Sequence, residues 1–161
     1  MAHDSPVSAP YLSGLRLAGR RVVVLGAGRV AERRVPALLA AGAVIIMVAP
    51  EARPSLATMA GRGELVWERR AYRIGDLDGA WYVLVATDDE VANRAASVEA
   101  EQQRTFCVRA DQAAEATAWT PATTEVDGVM VGVLTGGNPR RSAQLRDVLA
   151  DVLRRMRRRV A

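Results

Sequence analysis

The chain has no lysine; all 22 of its basic residues are arginine. That excludes Schiff-base lysine chemistry and the tyrosine–lysine pair on which one class of dehydrogenases relies. Histidine and cysteine are almost as scarce, with one of each, His3 and Cys107. They assemble no Ser-His or Cys-His pair and no Cys/His cluster for a structural metal, so no metal ligands are assigned. A lone cysteine makes no internal disulfide, and the expected setting is cytoplasmic. Aromatic residues are 4% of the chain; the core must be aliphatic, and little is left to stack on bases. The net charge is +4, much of it in "RRMRRRV" near the end, yet nucleic acid is not an expected partner. Nor is a membrane, because the apolar runs are too short to span one. "MAHDSPVSAPYL" lacks the basic-then-apolar pattern of a signal peptide, and residues 1–12 read as a loose tail.

What the chain has is aliphatic residues in regular alternation. Half of its 161 residues are hydrophobic, enough for one sizeable core with an extension. "RRVVVLG", "AVIIMVAP", "ELVWERRAY", "WYVLVAT" and "RTFCVRA" read as strands. Helical stretches follow the first to about Ala41, the second over 54–60, and the fourth over "DDEVANRAASVEAEQQ". Continuous apolar strands alternating with helices predict an α/β fold: a Rossmann-type parallel sheet with helices on both faces, over residues 1–112. From 113 to 161 the pattern changes. "TTEVDGVMVGVL" reads as a hairpin turning at Asp127-Gly128. A long helix follows, with Leu145, Val148, Leu149, Val152, Leu153, Met156 and Val160 on one face. Such a segment buries itself poorly and is expected to pack on the first domain or on a second subunit.

Gly26, Gly28 and Ala31 match the pattern G-x-G-x-x-[G/A] between the first strand and its helix. The spacing has a mechanism. The first glycine permits the turn, the second lets backbone approach a pyrophosphate, and the third small residue lets helix and strand pack closely. The helix N-terminus then holds the phosphates. Glu51, past the second strand, suits the ribose hydroxyls, at a spacing somewhat longer than usual. A carboxylate there favours NAD over NADP, while Arg53 nearby argues the other way. A packing turn with no ligand remains the bland alternative. Pro36 lies inside the expected helix and should kink or shorten it.

Other residues admit two readings each. Thr87-x-x-Glu90 has the form of a capping box, and Thr87 also ends a strand on the side that faces a ligand crevice. Asp111 ends the fifth strand and is a candidate acid or base. Thr135, Gly136 and Gly137 precede Asn138 and Pro139, which suit a helix cap and first turn; Arg140 and Arg141 follow, either solvated or facing an anion. Cys107 reads as a small core residue.

Taken in order, "GAGRVAERRVPALLAAGA", "VAP", "ATDDEVANRAA", "FCVRAD" and "VGVLTGG" resemble the N-terminal module of siroheme synthases, the precorrin-2 dehydrogenase/sirohydrochlorin ferrochelatase family, over about residues 11–155. The resemblance implies oxidation of precorrin-2 to sirohydrochlorin with NAD as hydride acceptor, and in many members insertion of ferrous iron. It carries NAD contacts to Arg29 and Val30 in the turn and to Ala49 and Pro50 after the second strand. It carries the essential aspartate to Asp111 and a hydroxyl near the tetrapyrrole to Thr135. It implies a homodimer joined through the hairpin and last helix, and a separate methyltransferase as a partner. An anionic tetrapyrrole gives Arg29, Arg33, Arg140 and Arg141 a role as charge complements. Val108 stands where the family often has asparagine. The competing readings are a non-catalytic NAD-sensing regulatory module, which needs neither Asp111 nor Thr135, and a structural dimer module with both sites unused.

Overall fold

The computed structural model describes residues 9–160, the side chains of 158–160 excepted. His3, most of the expected tail and the side chain of Val160 therefore lie outside the described residues. The chain forms two compact units that divide between Trp119 and Thr120.

The first unit is built on a five-stranded sheet of β1 (Arg21–Leu25), β2 (Val44–Val48), β3 (Val66–Glu68), β4 (Tyr82–Val85) and β5 (Phe106–Arg109). The order is β3-β2-β1-β4-β5 and every pairing is parallel. Helices α1 (Arg29–Ala40), α2 (Pro54–Gly61) and α3 (Glu90–Gln102) make the crossovers. Alternation along the strands produces two separate cores. Val22, Val24, Ile45, Met47 and Leu84 face Ala31 and Val35 of α1 and Leu56 of α2. Val23, Leu25, Val83, Val85 and Cys107 face Ala96 and Ala100 of α3. With both faces covered, the strands read as unbroken apolar runs, which is why they were visible in the sequence. The strand order reverses between β1 and β4, so the crevice of this fold opens at their carboxyl ends.

Three local expectations are corrected. The third strand is confined to Val66–Glu68, because Arg70 folds back and pairs with Asp76 through two hydrogen bonds of 2.8 and 2.7 Å. Pro36 does not shorten α1, which continues to Ala40. Thr87 and Glu90 form no capping box. Asp89 caps α3 instead, its Oδ1 accepting from the amides of Val91 and Ala92 at 3.0 Å.

Residues 113–119, expected with the hairpin, stay with the first unit. The amides of Thr117 and Ala118 donate to the carbonyl of Cys107, and the Thr117 hydroxyl accepts from the Cys107 amide at 2.8 Å. This segment lines the free edge of β5.

The second unit holds β6 (Ala122–Val126) and β7 (Val129–Val133), an antiparallel hairpin turning at Asp127-Gly128. Helix α4 (Pro139–Val160) packs along both strands. Asn138 caps it, with Oδ1 accepting from the amide of Arg141 at 3.0 Å. Ser142 and Ala150 are buried, whereas Leu145, Val148, Leu149, Val152 and Met156 remain exposed.

Candidate functional site

The carboxyl edge of the sheet gathers most of the candidate residues of the first unit. Across that edge lie Ala49–Glu51 after β2, Gly26–Val30 after β1, Thr87 after β4 and Asp111 after β5. The ladder extends to this edge, with the amide of Gly26 on the Val48 carbonyl, that of Ala86 on Leu25 and that of Ala110 on Val85.

The two glycines of the turn are glycines for different reasons. Gly26 has φ +91° and lies against the Ala86 carbonyl, where a Cβ would collide with backbone. The fold itself requires it. Gly28 has φ −87°, and a Cβ there would meet nothing within 4 Å. Among the described residues no packing demands a glycine at this position, and it keeps the approach to the helix end open. Gly28 is also the N-cap of α1 and supplies no side-chain acceptor to the first-turn amides. Uncapped amides behind an open approach suit a phosphate group. Arg29 is exposed and Ala31 is fully buried against the sheet, as the third position of the motif requires.

Past β2 the candidates separate. Ala49 is buried, its amide bonded to the Glu68 carbonyl and its carbonyl to the Trp67 indole at 2.8 Å. Pro50 and Glu51 are exposed. Arg53 donates its amide to the Ala27 carbonyl at 3.1 Å, and its Nε to Glu32 at 2.6 Å. Ser55 Oγ donates to the other oxygen of Glu32. The Ser55 hydrogen bond, then that of Arg53, hold the Glu32 carboxyl below its usual range.

Asp111 sits at the end of β5 in a network that sequence reading missed. Arg109 Nε and Nη2 donate to its two oxygens at 2.9 and 2.6 Å. Asn93 Nδ2 donates to Oδ2 at 3.1 Å and also to the Thr87 carbonyl, while Asn93 Oδ1 accepts from the Thr87 hydroxyl. Arg109 and Asn93 are buried; the Asp111 carboxylate is partly open to solvent. Arg109 also reaches Ser97 and Glu115. The Arg109 hydrogen bonds bring the Asp111 pKa down to about 2. Thr87 is therefore tied to Asp111 through Asn93. The available signal was an arginine inside an otherwise apolar strand, in "CVRAD".

In the second unit, Thr135 Oγ1 lies 2.8 Å from the Asn138 carbonyl and 2.8 Å from Ser142 Oγ. Gly136 and Gly137 have φ of +56° and +89° and carry the loop into α4. The helix-entry reading accounts for these contacts. Arg140 and Arg141 are exposed. Among the described residues no helix is long and apolar enough to cross a membrane, and no group of three or more His, Cys, Asp or Glu is placed to hold a metal.

Fold and turn together define a dinucleotide-binding protein. Residues 14–122 match the family model described as putative NAD(P)-binding, and the chain belongs to that family. It is similar to siroheme synthase of Chromobacterium violaceum, 39% identical over 124 residues that cover 77% of this chain and 26% of that protein. It is also similar to siroheme synthase 3 of Aeromonas hydrophila, 34% identical over 139 residues covering 86% of this chain and 30% of the relative. The chain thus spans under a third of the length of these curated relatives. Among solved structures it resembles the precorrin-2 dehydrogenase SirC, with a TM-score of 0.78 and 25% identity over 88% of this chain and 70% of that one.

Proposed function

We propose that the chain is an NAD-dependent precorrin-2 dehydrogenase, producing sirohydrochlorin for siroheme biosynthesis. One observation carries the reading: an open glycine turn and an ionised, partly exposed aspartate end strands of the same sheet edge. Bound NAD+ supplies a hydride acceptor. Gly28, Arg29 and Val30 would meet its phosphates, with Gly26 shaping the turn and Ala31 the helix–strand contact behind it, and Ala49, Pro50 and Glu51 would flank the adenosine ribose. Thr87, held by Asn93, borders the nicotinamide side. Loss of hydride from the macrocycle is accompanied by loss of a proton, and Asp111 is our candidate to take it. With its pKa near 2, the Asp111 carboxylate is fully ionised at neutral pH. It acts as a fixed charge and hydrogen-bond acceptor beside the substrate.

Arg29 and Arg33 of the first unit are candidates to meet the substrate's carboxylates; Thr135, Gly136, Gly137, Arg140 and Arg141 are the candidates that the second unit offers by itself. A homodimer through the exposed face of α4, a cytoplasmic setting and a separate methyltransferase as supplier of substrate complete the proposal. Ferrous iron insertion is the second activity that the similarity to siroheme synthases supports. The decisive experiment mixes the protein with precorrin-2 and NAD+ and follows NADH and the sirohydrochlorin spectrum, with ferrous ion added afterwards. A folded protein that forms no NADH overturns the dehydrogenase; sirohydrochlorin unchanged by added iron overturns the chelatase alone.

A further inference from the structure

We propose that Glu32 sets the preference of the dinucleotide site for NAD+ over its 2′-phosphorylated form, by withholding Arg53 from the ribose. The inference rests on the dinucleotide reading of the glycine turn. In this fold the adenosine ribose lies beyond the second strand, where a carboxylate bonds its hydroxyls or an arginine accommodates a 2′-phosphate. The chain carries both residue types there, Glu51 and Arg53, so the sequence alone leaves the preference open. The structure closes that choice. Arg53 starts from the lip of the turn, because its amide is bonded to the Ala27 carbonyl at 3.1 Å. Its guanidinium is turned toward α1, where Nε is bonded to Glu32 Oε2 at 2.6 Å. Ser55 engages the other carboxylate oxygen, so Glu32 is fixed from both sides and stays ionised.

The charge balance follows. Glu32 and Glu51 each bring one negative charge to the lip and Arg53 one positive charge. Arg29, near enough to act on the Glu32 carboxyl, brings a second positive charge, so discrimination against a 2′-phosphate rests on the engagement of Arg53 by Glu32 and not on net charge. A 2′-phosphate bound by Arg53 would compete with Glu32, whose carboxylate already holds Nε and neutralises the guanidinium. A ribose hydroxyl enters no such competition and finds Glu51 exposed. The Glu32–Arg53 pair is itself partly exposed, with side-chain exposures of 33% and 43%. Its contribution to fold stability is therefore small, and altering it tests specificity without unfolding the protein.

The test is calorimetric titration of NAD+ and NADP+ into the wild-type protein, Glu32→Gln, Arg53→Ala and the double variant. Wild type should bind NAD+ more tightly. Glu32→Gln should tighten NADP+ by roughly ten-fold, the size of one charge-assisted hydrogen bond, with NAD+ little changed. The gain should vanish in the double variant. An unchanged NADP+/NAD+ ratio in Glu32→Gln overturns the proposal, as does a gain that survives without Arg53. Failure of folded wild type to bind either dinucleotide is a different result, and overturns the underlying reading of the turn.

Discussion

Arg109 grips both carboxylate oxygens of Asp111, at 2.9 and 2.6 Å, with a side chain only 3% exposed. The aspartate is the accessible member of the pair and the arginine the buried one. A carboxylate held in this way has a defined direction and a permanent charge at the end of β5. Asp111 is the exposed end of a network that also contains Asn93, Ser97 and Glu115.

Replacement of Asp111 by Asn separates chemistry from binding. The amide keeps an oxygen for the neighbouring donors but cannot take a proton. NAD+ affinity should be retained, because the glycine turn belongs to another strand. Turnover of precorrin-2 should fall on the order of a hundred-fold or more, the usual range for a lost acid–base group. Calorimetry for NAD+ and NADH formation for turnover check both halves; normal turnover in the variant removes Asp111 from the reaction.

Arg109→Met reports on the pKa. In the wild type the Asp111 pKa is lowered from 3.8 to about 2 by the Arg109 hydrogen bonds. A depressed folded-state pKa stabilises the fold above the ordinary value and loses that contribution as pH falls from about 4 through about 2. Without the guanidinium, Asp111 should titrate higher, and the acid-side loss contributed by this residue should shrink. Carboxyl titration by NMR and denaturation between pH 5 and pH 2 (on the order of the titration window) measure this. A wild-type Asp111 that titrates at an ordinary carboxylate pKa contradicts the network.

Much of this arrangement is legible in the sequence, and the rest has identifiable reasons for being hidden. The strands announce themselves because both faces of the sheet are covered. The glycine turn announces itself because Gly26 must approach the Ala86 carbonyl. "ELVWERRAY" misleads because an edge strand ends where a tertiary ion pair, Arg70 with Asp76, pulls the chain away. The apparent capping box at Thr87 misleads because Asn93 is buried on α3 and claims the Thr87 hydroxyl. Arg109 and Asp111 are neighbours in "CVRAD", but Ser97 comes from α3, and no local pattern brings it to Arg109. The same is true of Glu32 and Arg53, which meet only once α1 and α2 pack on one face.

Gly26→Ala and Gly28→Ala should behave as opposites. At Gly26 the left-handed backbone and the Ala86 carbonyl both resist a Cβ, and a cost of about 2–4 kcal/mol is expected in denaturant unfolding. At Gly28 the added methyl has room, so stability should move little. NAD+ binding should weaken by roughly ten-fold or more, because the methyl occupies the approach to the phosphate. A Gly28→Ala protein with wild-type NAD+ affinity places the cofactor elsewhere.

Glu99 supplies a stability test remote from the carboxyl edge. It is buried and accepts from the Tyr72 hydroxyl, from the amides of Gly75 and Leu77 at 3.0 and 3.2 Å, and from Gln103 at 3.3 Å. One carboxylate thus satisfies the turn that leads into β4. Glu99→Ala removes the acceptor of Tyr72 and of the Gly75 and Leu77 amides, while Gln103 keeps Asp78, and a loss of about 3 kcal/mol is expected. Denaturant titration gives the loss, and NAD+ affinity of the folded fraction should be unaffected. A loss below about 1 kcal/mol would show that water replaces the carboxylate at little cost.

The exposed strip of α4 carries the last prediction. Leu145, Val148, Leu149, Val152 and Met156 recur at three- and four-residue steps and are 41–61% exposed, although the helix already packs on its hairpin. A helix that needs one apolar face for its own hairpin gains nothing from a second in water. Burial between two copies would recover roughly 25 cal/mol for each Å² of apolar surface covered. Arg154 and Asp151 border the strip and are paired with each other at 2.8 Å, so they need not oppose close approach. Val152→Asp places an unpaired charge in the strip without touching the buried Ala150 and Ser142 that seat the helix. The wild type should sediment as a dimer and the variant as a monomer, with helix content unchanged by circular dichroism. A monomeric wild type at micromolar concentration would remove the dimer from the proposal, and dimeric Val152→Asp would move the interface off α4.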